Sequence, residues 1–260
     1  MDAFFFGRRE QPLLGLHHPG QGRARRHAIL VVPGWGNEQA RSHRALHLFA
    51  ESLATSGFEL LRYDPRHCGD SAGESRGLSA ASWREDVRSA ADELRSLSGS
   101  PRLCLLGVRL GALLALQALR EGLPAEAAVL IDPPASGAHW LSEQRRLDHL
   151  DLARKNGLRP RRDAIPASPE DELMGLALPA DFRRLIEAST LAPAPPGVRV
   201  LQAQGATQPC PWLEGAERLA LPDHTPWNTL RGLYTPWNPQ GSLRLLGARL
   251  AEWLDGDHGA

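Results

Sequence analysis

The stretch from Leu103 to Leu119 constrains the fold of this chain more than any other. Residues 103–107 have the composition of a buried strand, and an apolar helix pattern follows them without a spacer. Gly107 and Gly111 bracket the turn between the two, where a side chain would collide because the strand and helix backbones pass closely. The stretch therefore predicts a tight strand-to-helix turn, with Arg109 held at a positive φ above the edge of a sheet.

Patterns typical of strands and helices alternate along the rest of the chain. Strand patterns occupy residues 3–6, 13–17, 28–32, 58–63, 102–107, 127–131, 198–204 and 217–221, and helix patterns occupy 38–55, 80–97, 110–119 and 241–254. The first two strands predict an opening hairpin. The later alternation predicts right-handed crossovers, and hence an α/β fold with a mostly parallel central sheet and helices on both faces.

The pattern changes between residues 135 and 196. Arginine and leucine dominate this segment, and prolines at positions 160, 166, 169 and 179 divide it. This composition predicts two or three helices and not a second domain with its own sheet. We therefore expect residues 1–134 and 197–260 to form the α/β core, and residues 135–196 to form a small helical cap insertion over the strand ends.

Charge and cysteine content narrow the functional class. The chain of 260 residues carries 30 basic and 30 acidic side chains, which argues against nucleic acid or an anionic membrane as the main partner. We find no signal-peptide pattern and no run of about 18 apolar residues, so no membrane insertion is predicted. Three widely spaced cysteines indicate free thiols in a reducing compartment. We expect a cytoplasmic protein with no metal and no other cofactor.

Several stretches carry a family resemblance. They are the opening MDAFFF, residues 41–74 (RSHRALHLFAESLATSGFELLRYDPRHCGDSAGE), the turn GVRLGA, and the insertion pieces HWLSEQRRL and ELMGLALPADF. On these the chain resembles the α/β-hydrolase superfamily. More narrowly, it resembles the second of the two hydrolase-like proteins that accompany bacterial exosortase A systems. The resemblance implies an α/β-hydrolase fold, a link to exopolysaccharide and exosortase loci, and a protein partner from the same locus.

The resemblance also assigns positions to a catalytic triad. The superfamily carries its nucleophile, usually serine, where this chain has Arg109, and a guanidinium is permanently protonated and cannot attack a carbonyl. The usual acid follows the strand at 198–204, but residues 205–209 contain no carboxylate. His224 fits the position of the base. Asp132 is a candidate partner for Arg109 or His224, or it only begins the turn before two prolines.

The residues that would stabilise an oxyanion are better preserved. Gly34 and Trp35 lie in the turn after the strand at 28–32, which supplies one backbone donor in the superfamily. Leu110 follows Arg109 and would supply the other. The alternative is a plain strand-to-helix turn, which needs glycine for its own geometry.

Arg109 admits two interpretations. The helix that begins at Leu110 directs free N–H groups toward the position above residue 109, and a guanidinium there predicts a site for a carboxylate or phosphate. Alternatively, Asp132 or Glu38 neutralises Arg109 inside the protein, and the arginine is a structural plug.

Two functions of different class follow. The first is a catalytically degenerate hydrolase that binds a small acyl, carboxylate or phosphate ligand, or a protein partner. The second is an active ester or thioester hydrolase with an atypical nucleophile or a water activated by His224. Ser71, Cys68 and Cys104 are weaker nucleophile candidates. Ser71 lies in a loop that the resemblance implies is structural in the superfamily, and Cys104 lies within a strand.

Overall fold

The computed structural model describes residues 1–159, 168–205, 210–223 and 226–256. The predicted base His224 and residues 206–209 lie outside the described residues. The strands are β1 (Asp2–Arg8), β2 (Gln11–His18), β3 (His27–Val32), β4 (Leu60–Tyr63), β5 (Arg102–Val108), β6 (Ala127–Ile131), β7 (Glu172–Leu173), β8 (Leu176–Ala177), β9 (Arg199–Gly205) and β10 (Glu217–Leu221).

The helices are α1 (Asn37–Thr55), α2 (Ala80–Ser98), α3 (Leu110–Arg120), α4 (Gly137–Lys155), α5 (Ala180–Ala188), α6 (Leu230–Leu233) and α7 (Gln240–Asp255). A short 3-10 helix spans Ser75–Gly77. The predicted elements are confirmed, although the strand expected from residue 58 begins at Leu60. The short helix α6 was not predicted.

Eight strands form one sheet in the order β1-β2-β4-β3-β5-β6-β9-β10. In this spatial order, neighbouring strands from β4 through β10 pair in parallel. Strands β1 and β2 form an antiparallel hairpin, and β2 pairs antiparallel with β4. Every residue of β3 is buried because helices cover both faces of the sheet. One apolar cluster packs under α2 and α3 and a second under α1 and α7, which confirms the predicted layers of helices on both faces of the sheet.

Helix α2 shows how local sequence sets these elements. The side-chain oxygen of its N-cap, Ser79, accepts a hydrogen bond from the backbone N–H of Ser82, and the backbone N–H of Ser79 donates in return to Ser82 Oγ. Its C-cap is Gly99 at φ 64, a conformation that glycine adopts without strain. Between the caps, Trp83, Val87 and Leu94 bury one face of the helix against the sheet.

The strand-to-helix turn at residues 107–111, called the elbow here, has the predicted form. Helix α3 begins at Leu110, directly after β5 and one intervening residue. A Cβ at Gly107 would overlap the backbone of Gly111, and a Cβ at Gly111 would lie 2.6 Å from the carbonyl oxygen of Val32. Both glycines are therefore required by close approach of main chains, as the sequence predicts.

The segment predicted as a cap contains α4, the two-stranded hairpin β7–β8 and α5, with residues 160–167 outside the described part. The hairpin was not predicted, because each of its strands is only two residues long. No helix in the described part of the chain is long and apolar enough to cross a bilayer.

Candidate functional site

The elbow holds Arg109 in a strained backbone conformation. Arg109 has φ 54 and ψ −120, which confirms the predicted positive φ. Such a conformation costs about 1–3 kcal/mol for a residue other than glycine. Its backbone N–H donates to the carbonyl oxygen of Ile131 at 2.9 Å, so the neighbouring strand β6 fixes the turn.

The guanidinium of Arg109 is buried between two carboxylates. The residue is 3% exposed. Its Nε lies 3.1 Å from Glu38 Oε1, and Nη2 lies 2.8 Å from Glu143 Oε2. Burial alone would lower the pKa of Arg109, but attraction to Glu38 and Glu143 outweighs it and raises the pKa above the usual value. The contact with Glu38 is the one that the second interpretation names, and Glu143 is a further partner that the sequence did not indicate.

Glu38 reaches the position expected for a substrate oxyanion. Glu38 is 3% exposed, and its Oε2 lies 3.5 Å from the backbone nitrogen of Leu110, the predicted oxyanion donor. Oε1 also accepts from Gln144 Nε2 at 3.3 Å. The positive end of the α3 dipole, which would stabilise an oxyanion, thus already faces a carboxylate of the protein itself.

Gly34 and Trp35 lie in the turn after β3, next to the elbow. A Cβ on Gly34 would be 3.5 Å from the backbone nitrogen of Gly111, so the turn after β3 packs directly on the elbow. The buried ring of Trp35 lies 6.2 Å, centroid to centroid, from the ring of Phe182 in α5. The structure therefore places the turn that contains Gly34 and Trp35 against the elbow, and the role of these residues as donors to a ligand stays a prediction.

One hypothesis required the carboxylate of Asp132 to pair with Arg109. The carboxylate does not make this contact. Only its backbone carbonyl faces Arg109 Nη1, at 3.5 Å. Asp132 Oδ1 accepts from the backbone N–H of Gly205 at 2.9 Å, and Oδ2 accepts from Trp227 Nε1 at 3.1 Å. The carboxylate is thus committed to a neighbouring strand and an indole. Its predicted pairing with His224 remains a prediction.

Trp227 lies between Asp132 and two arginines, Arg41 and Arg109. The sequence analysis did not identify it. The guanidinium carbon of Arg109 lies 5.7 Å from the Trp227 ring centroid, and that of Arg41 lies 4.7 Å from it. The ring is buried and packs on Trp237, 5.4 Å away. The only sequence signal is that both tryptophans occur in copies of the tetrapeptide Thr-Pro-Trp-Asn, at 225–228 and 235–238.

Glu143 joins the core to helix α4 of the predicted cap. Its Oε2 is paired with Arg109, and its Oε1 accepts from Asn228 Nδ2 at 3.3 Å. His139 Nε2 approaches the same oxygen at 3.5 Å. We call Arg109, Glu38 and Glu143 the elbow cluster. The cluster draws on α1, the elbow and α4, so it ties the predicted cap to the sheet.

The alternative nucleophiles are unsuited to attack. Ser71 Oγ donates to the carbonyl oxygen of Asp64 at 2.5 Å and accepts from the backbone N–H of Leu14 at 2.8 Å, which fixes it in a structural role. Burial raises the pKa of both Cys68 and Cys104 to about 12. Neither thiol carries a useful thiolate population near neutral pH.

A cavity of about 500 Å³ lies next to the turn after β3. Trp35 and Leu176 contribute apolar surface, and Asp64 and Asp70 contribute carboxylates. No arginine or lysine lines it among the described residues. The cavity therefore offers little attraction to an anion.

One group of side chains has metal-ligand composition. Ligand atoms of His18, His47 and Glu51 lie within 4.8 Å of one another. Arg62 donates to His18 Nε2 at 3.2 Å and to His47 Nδ1 at 3.5 Å. Burial and the charge of Arg62 lower the pKa of His18 to about 4. The guanidinium thus already serves as the cation of this group and uses the nitrogen lone pairs that a metal would need.

Solved structures share this fold at low sequence identity. The chain is similar to a soluble variant of monoglyceride lipase from Saccharomyces cerevisiae in complex with a substrate analogue, at 13% identity and a TM-score of 0.62, covering 98% of this chain and 94% of that one. It is also similar to Est1E from Butyrivibrio proteoclasticus with ferulic acid bound, at 15% identity and a TM-score of 0.59, covering 97% and 98%. XC6422 from Xanthomonas campestris, a serine hydrolase without lid, gives 15% identity and a TM-score of 0.56, covering 97% and 92%.

At these identities the structural likeness establishes the fold alone. No curated protein sequence matches this chain. A sequence model described as the alpha/beta hydrolase family matches residues 29–259, which include the sheet from β3 onward, the elbow and the final helix. The chain therefore belongs to the alpha/beta hydrolase family.

Proposed function

We propose that this chain is a catalytically degenerate member of its family that binds a small acyl, carboxylate or phosphate ligand, or a protein partner, instead of hydrolysing an ester. The observation that carries the proposal is the pair formed by Arg109 and Glu38. Arg109 replaces the nucleophile, and Glu38 places a carboxylate within 3.5 Å of the Leu110 amide. A substrate carbonyl would meet a guanidinium in place of a hydroxyl, and a negative charge where its own would develop.

A ligand anion would reach Arg109 by displacing Glu143. Glu143 is 16% exposed at its side chain, whereas Glu38 is 3% exposed, so Glu143 is the partner nearer to solvent. The guanidinium fork that holds two carboxylates of the protein could equally hold one oxygen pair of a carboxylate or phosphate. Glu143 would then act as a built-in competitor that the ligand replaces.

Thermal unfolding with anions tests ligand binding. Phosphate, sulfate or octanoate at about a hundred times its dissociation constant should stabilise the wild type by about 2.7 kcal/mol. Glu143→Gln should respond at lower anion concentration, because one carboxylate no longer competes. Arg109→Ala should lose the response, and Arg244→Ala, on the exposed face of α7, should keep it. If neither wild type nor Glu143→Gln responds, the anion proposal fails and Arg109 is a structural plug.

Catalysis is tested separately. Purified protein should not hydrolyse short p-nitrophenyl esters or thioesters above background, and a fluorophosphonate should not label it. The competing function, an ester or thioester hydrolase that uses a water activated by His224, is favoured by the position of that histidine after β10. Hydrolysis that is lost in His224→Ala would establish this competing function and overturn ours.

The proposal includes a setting that rests on the family resemblance alone. We propose a cytoplasmic protein linked to exopolysaccharide and exosortase loci, with a partner encoded at the same locus. A co-purification from a host carrying such a locus tests it, with Arg109→Ala as the variant that distinguishes binding through the elbow from binding elsewhere.

A further inference from the structure

The strand β1 forms one edge of the central sheet. Leu14 of β2 lies opposite Phe5 in the β1–β2 register. The Leu14 backbone N–H donates to Ser71 Oγ at 2.8 Å, and its carbonyl accepts from the Asp64 N–H at 3.0 Å. The Leu14 backbone is therefore directed away from β1. In an antiparallel ladder the opposite residue then directs its own N–H and C=O away from β2, so Phe5 presents both groups outward.

The same reasoning extends along β1. Pro12 lies opposite Gly7, and its carbonyl accepts from the N–H of Ala72 at 3.0 Å, away from β1. Gly7 therefore also presents its backbone outward, at a φ of 81 where the strand bends into the hairpin turn, and Ala3 does so by the alternation of the strand. The three residues with outward hydrogen-bonding groups are spaced symmetrically about Phe5.

We propose that β1 pairs with β1 of a second copy of this chain, antiparallel about a two-fold axis at Phe5. Phe5 then exchanges both of its outward hydrogen bonds with Phe5 of the second copy. Ala3 does the same with Gly7 of the second copy. The pairing satisfies the edge and joins the two central sheets into one.

The side chains fit this symmetric register. Asp2 lies opposite Arg8 of the second copy at both ends of the ladder, which puts opposite charges face to face. Phe5 is 62% exposed in one copy and would form a cross-strand aromatic pair. Phe6 is buried under α2 on the other face and is not needed for the contact. The strand carries no lysine or proline, which commonly protect edge strands from pairing.

Sedimentation velocity of the full chain from 1 to 100 μM tests the proposal. Wild type should form a species of twice the chain mass of 28.4 kDa as concentration rises. Phe5→Lys should raise the dimer dissociation constant at least tenfold, because two lysines would face each other at the axis. Leu48→Lys, which changes a comparably exposed apolar residue on α1, should dimerise like wild type.

Charge exchange distinguishes this register from any other association. Asp2→Arg and Arg8→Asp should each weaken the dimer, and the double variant should restore it, because opposite charges face each other again. Arg8 also contacts Glu85 at 2.5 Å, so circular dichroism must show that Arg8→Asp is folded. Amide exchange at Phe5 should slow as wild type dimerises. A wild type that stays monomeric at 100 μM, or a Phe5→Lys dimer as tight as wild type, overturns the proposal.

Discussion

Two buried arginines of this chain each contact a pair of carboxylates, but they connect different parts of the molecule. Arg66 contacts Asp86 at 2.6 Å and Glu85 at 2.5 Å, and both partners lie on α2. Arg109 contacts Glu38 on α1 and Glu143 on α4. The first cluster secures a loop to the helix beside it, whereas the second joins the core to the predicted cap at the elbow.

The backbone under the two arginines differs as well. Arg109 is at φ 54, whereas Arg66 is not among the residues with positive φ in the described part of the chain. A buried arginine with two carboxylates is therefore no sign of a functional site in itself. What distinguishes the elbow cluster is that strain, a helix N-terminus and a residue from another layer meet at one side chain.

The largest effect should come from breaking the Arg66 cluster. Arg66→Ala leaves Asp86, which is 1% exposed, without its guanidinium partner. Removal of one member of a buried ion pair destabilises by about 3–5 kcal/mol. We expect a loss of that size in chemical denaturation, with no change in the response to anions. A loss below 1 kcal/mol would mean that Asp86 is protonated or solvated without Arg66.

Arg109→Ala should cost less, about 2–3 kcal/mol, because Glu38 keeps hydrogen bonds from two groups, Gln144 and the Leu110 amide, and Glu143 is partly exposed. Asp86 keeps only the backbone N–H of residue 66. A glycine at the same position sharpens the comparison. Arg109→Gly should be about 1 kcal/mol more stable than Arg109→Ala, because glycine tolerates the positive φ.

At position 66 the order should reverse, with glycine less stable than alanine, because glycine there only adds freedom to the unfolded chain. Equal effects of the two substitutions at position 109 would contradict strain at the elbow.

Glu143→Gln should have a smaller effect, about 1 kcal/mol or less, since the amide oxygen can still accept from Arg109 and the site is partly exposed. Urea unfolding measures the change, and protease cleavage within residues 135–196 shows whether the predicted cap opens more often. A matched Glu85→Gln variant should leave cleavage in that segment unchanged. If both variants accelerate it alike, the elbow cluster does not hold the cap.

Acid should remove the contribution of Glu85 to the Arg66 cluster, whereas burial raises the pKa of Asp86, so protonation of that carboxyl acts in the opposite direction. The hydrogen bond from Arg66 holds the pKa of Glu85 below its usual value of 4.5. A lowered pKa in the folded state contributes stability that is present above pH 4.5 and is lost as the pH falls through the folded-state pKa. Stability measured from pH 6 to pH 3 should show this loss in wild type and less of it in Glu85→Gln. Identical pH profiles would contradict the contribution of Glu85.

The comparison also shows what could be read from the sequence. The elbow was predictable because its constraint is local, with Gly107 and Gly111 separated by three residues. The partners of Arg109 were harder, since Glu38 is 71 residues away and Glu143 is 34 residues away. Glu38 was named as one possible partner, beside Asp132. Glu143 was missed because helix α4 has no apolar face that would indicate its orientation.

Trp227 was missed for a related reason. A tryptophan within a sequence typical of a turn can be buried or exposed. Only the structure shows that the indole N–H of Trp227 donates to Asp132. The strands, the crossovers and the elbow could be predicted because they depend on hydrophobic periodicity and on steric limits within short stretches of sequence. The chemistry of the site depends on which distant side chains meet, and composition carries no information on that.

The central claim is that Arg109 and Glu38 form an internal ion pair where the family places a nucleophile and an oxyanion. A double-mutant cycle with Arg109→Met, Glu38→Gln and the double variant tests it most directly, by urea unfolding at pH 7. We predict a coupling free energy of about 1.5 kcal/mol or more, with the double variant more stable than the sum of the single changes implies. A coupling within about 0.3 kcal/mol of zero would contradict the claim, because the two side chains would then not act as a pair.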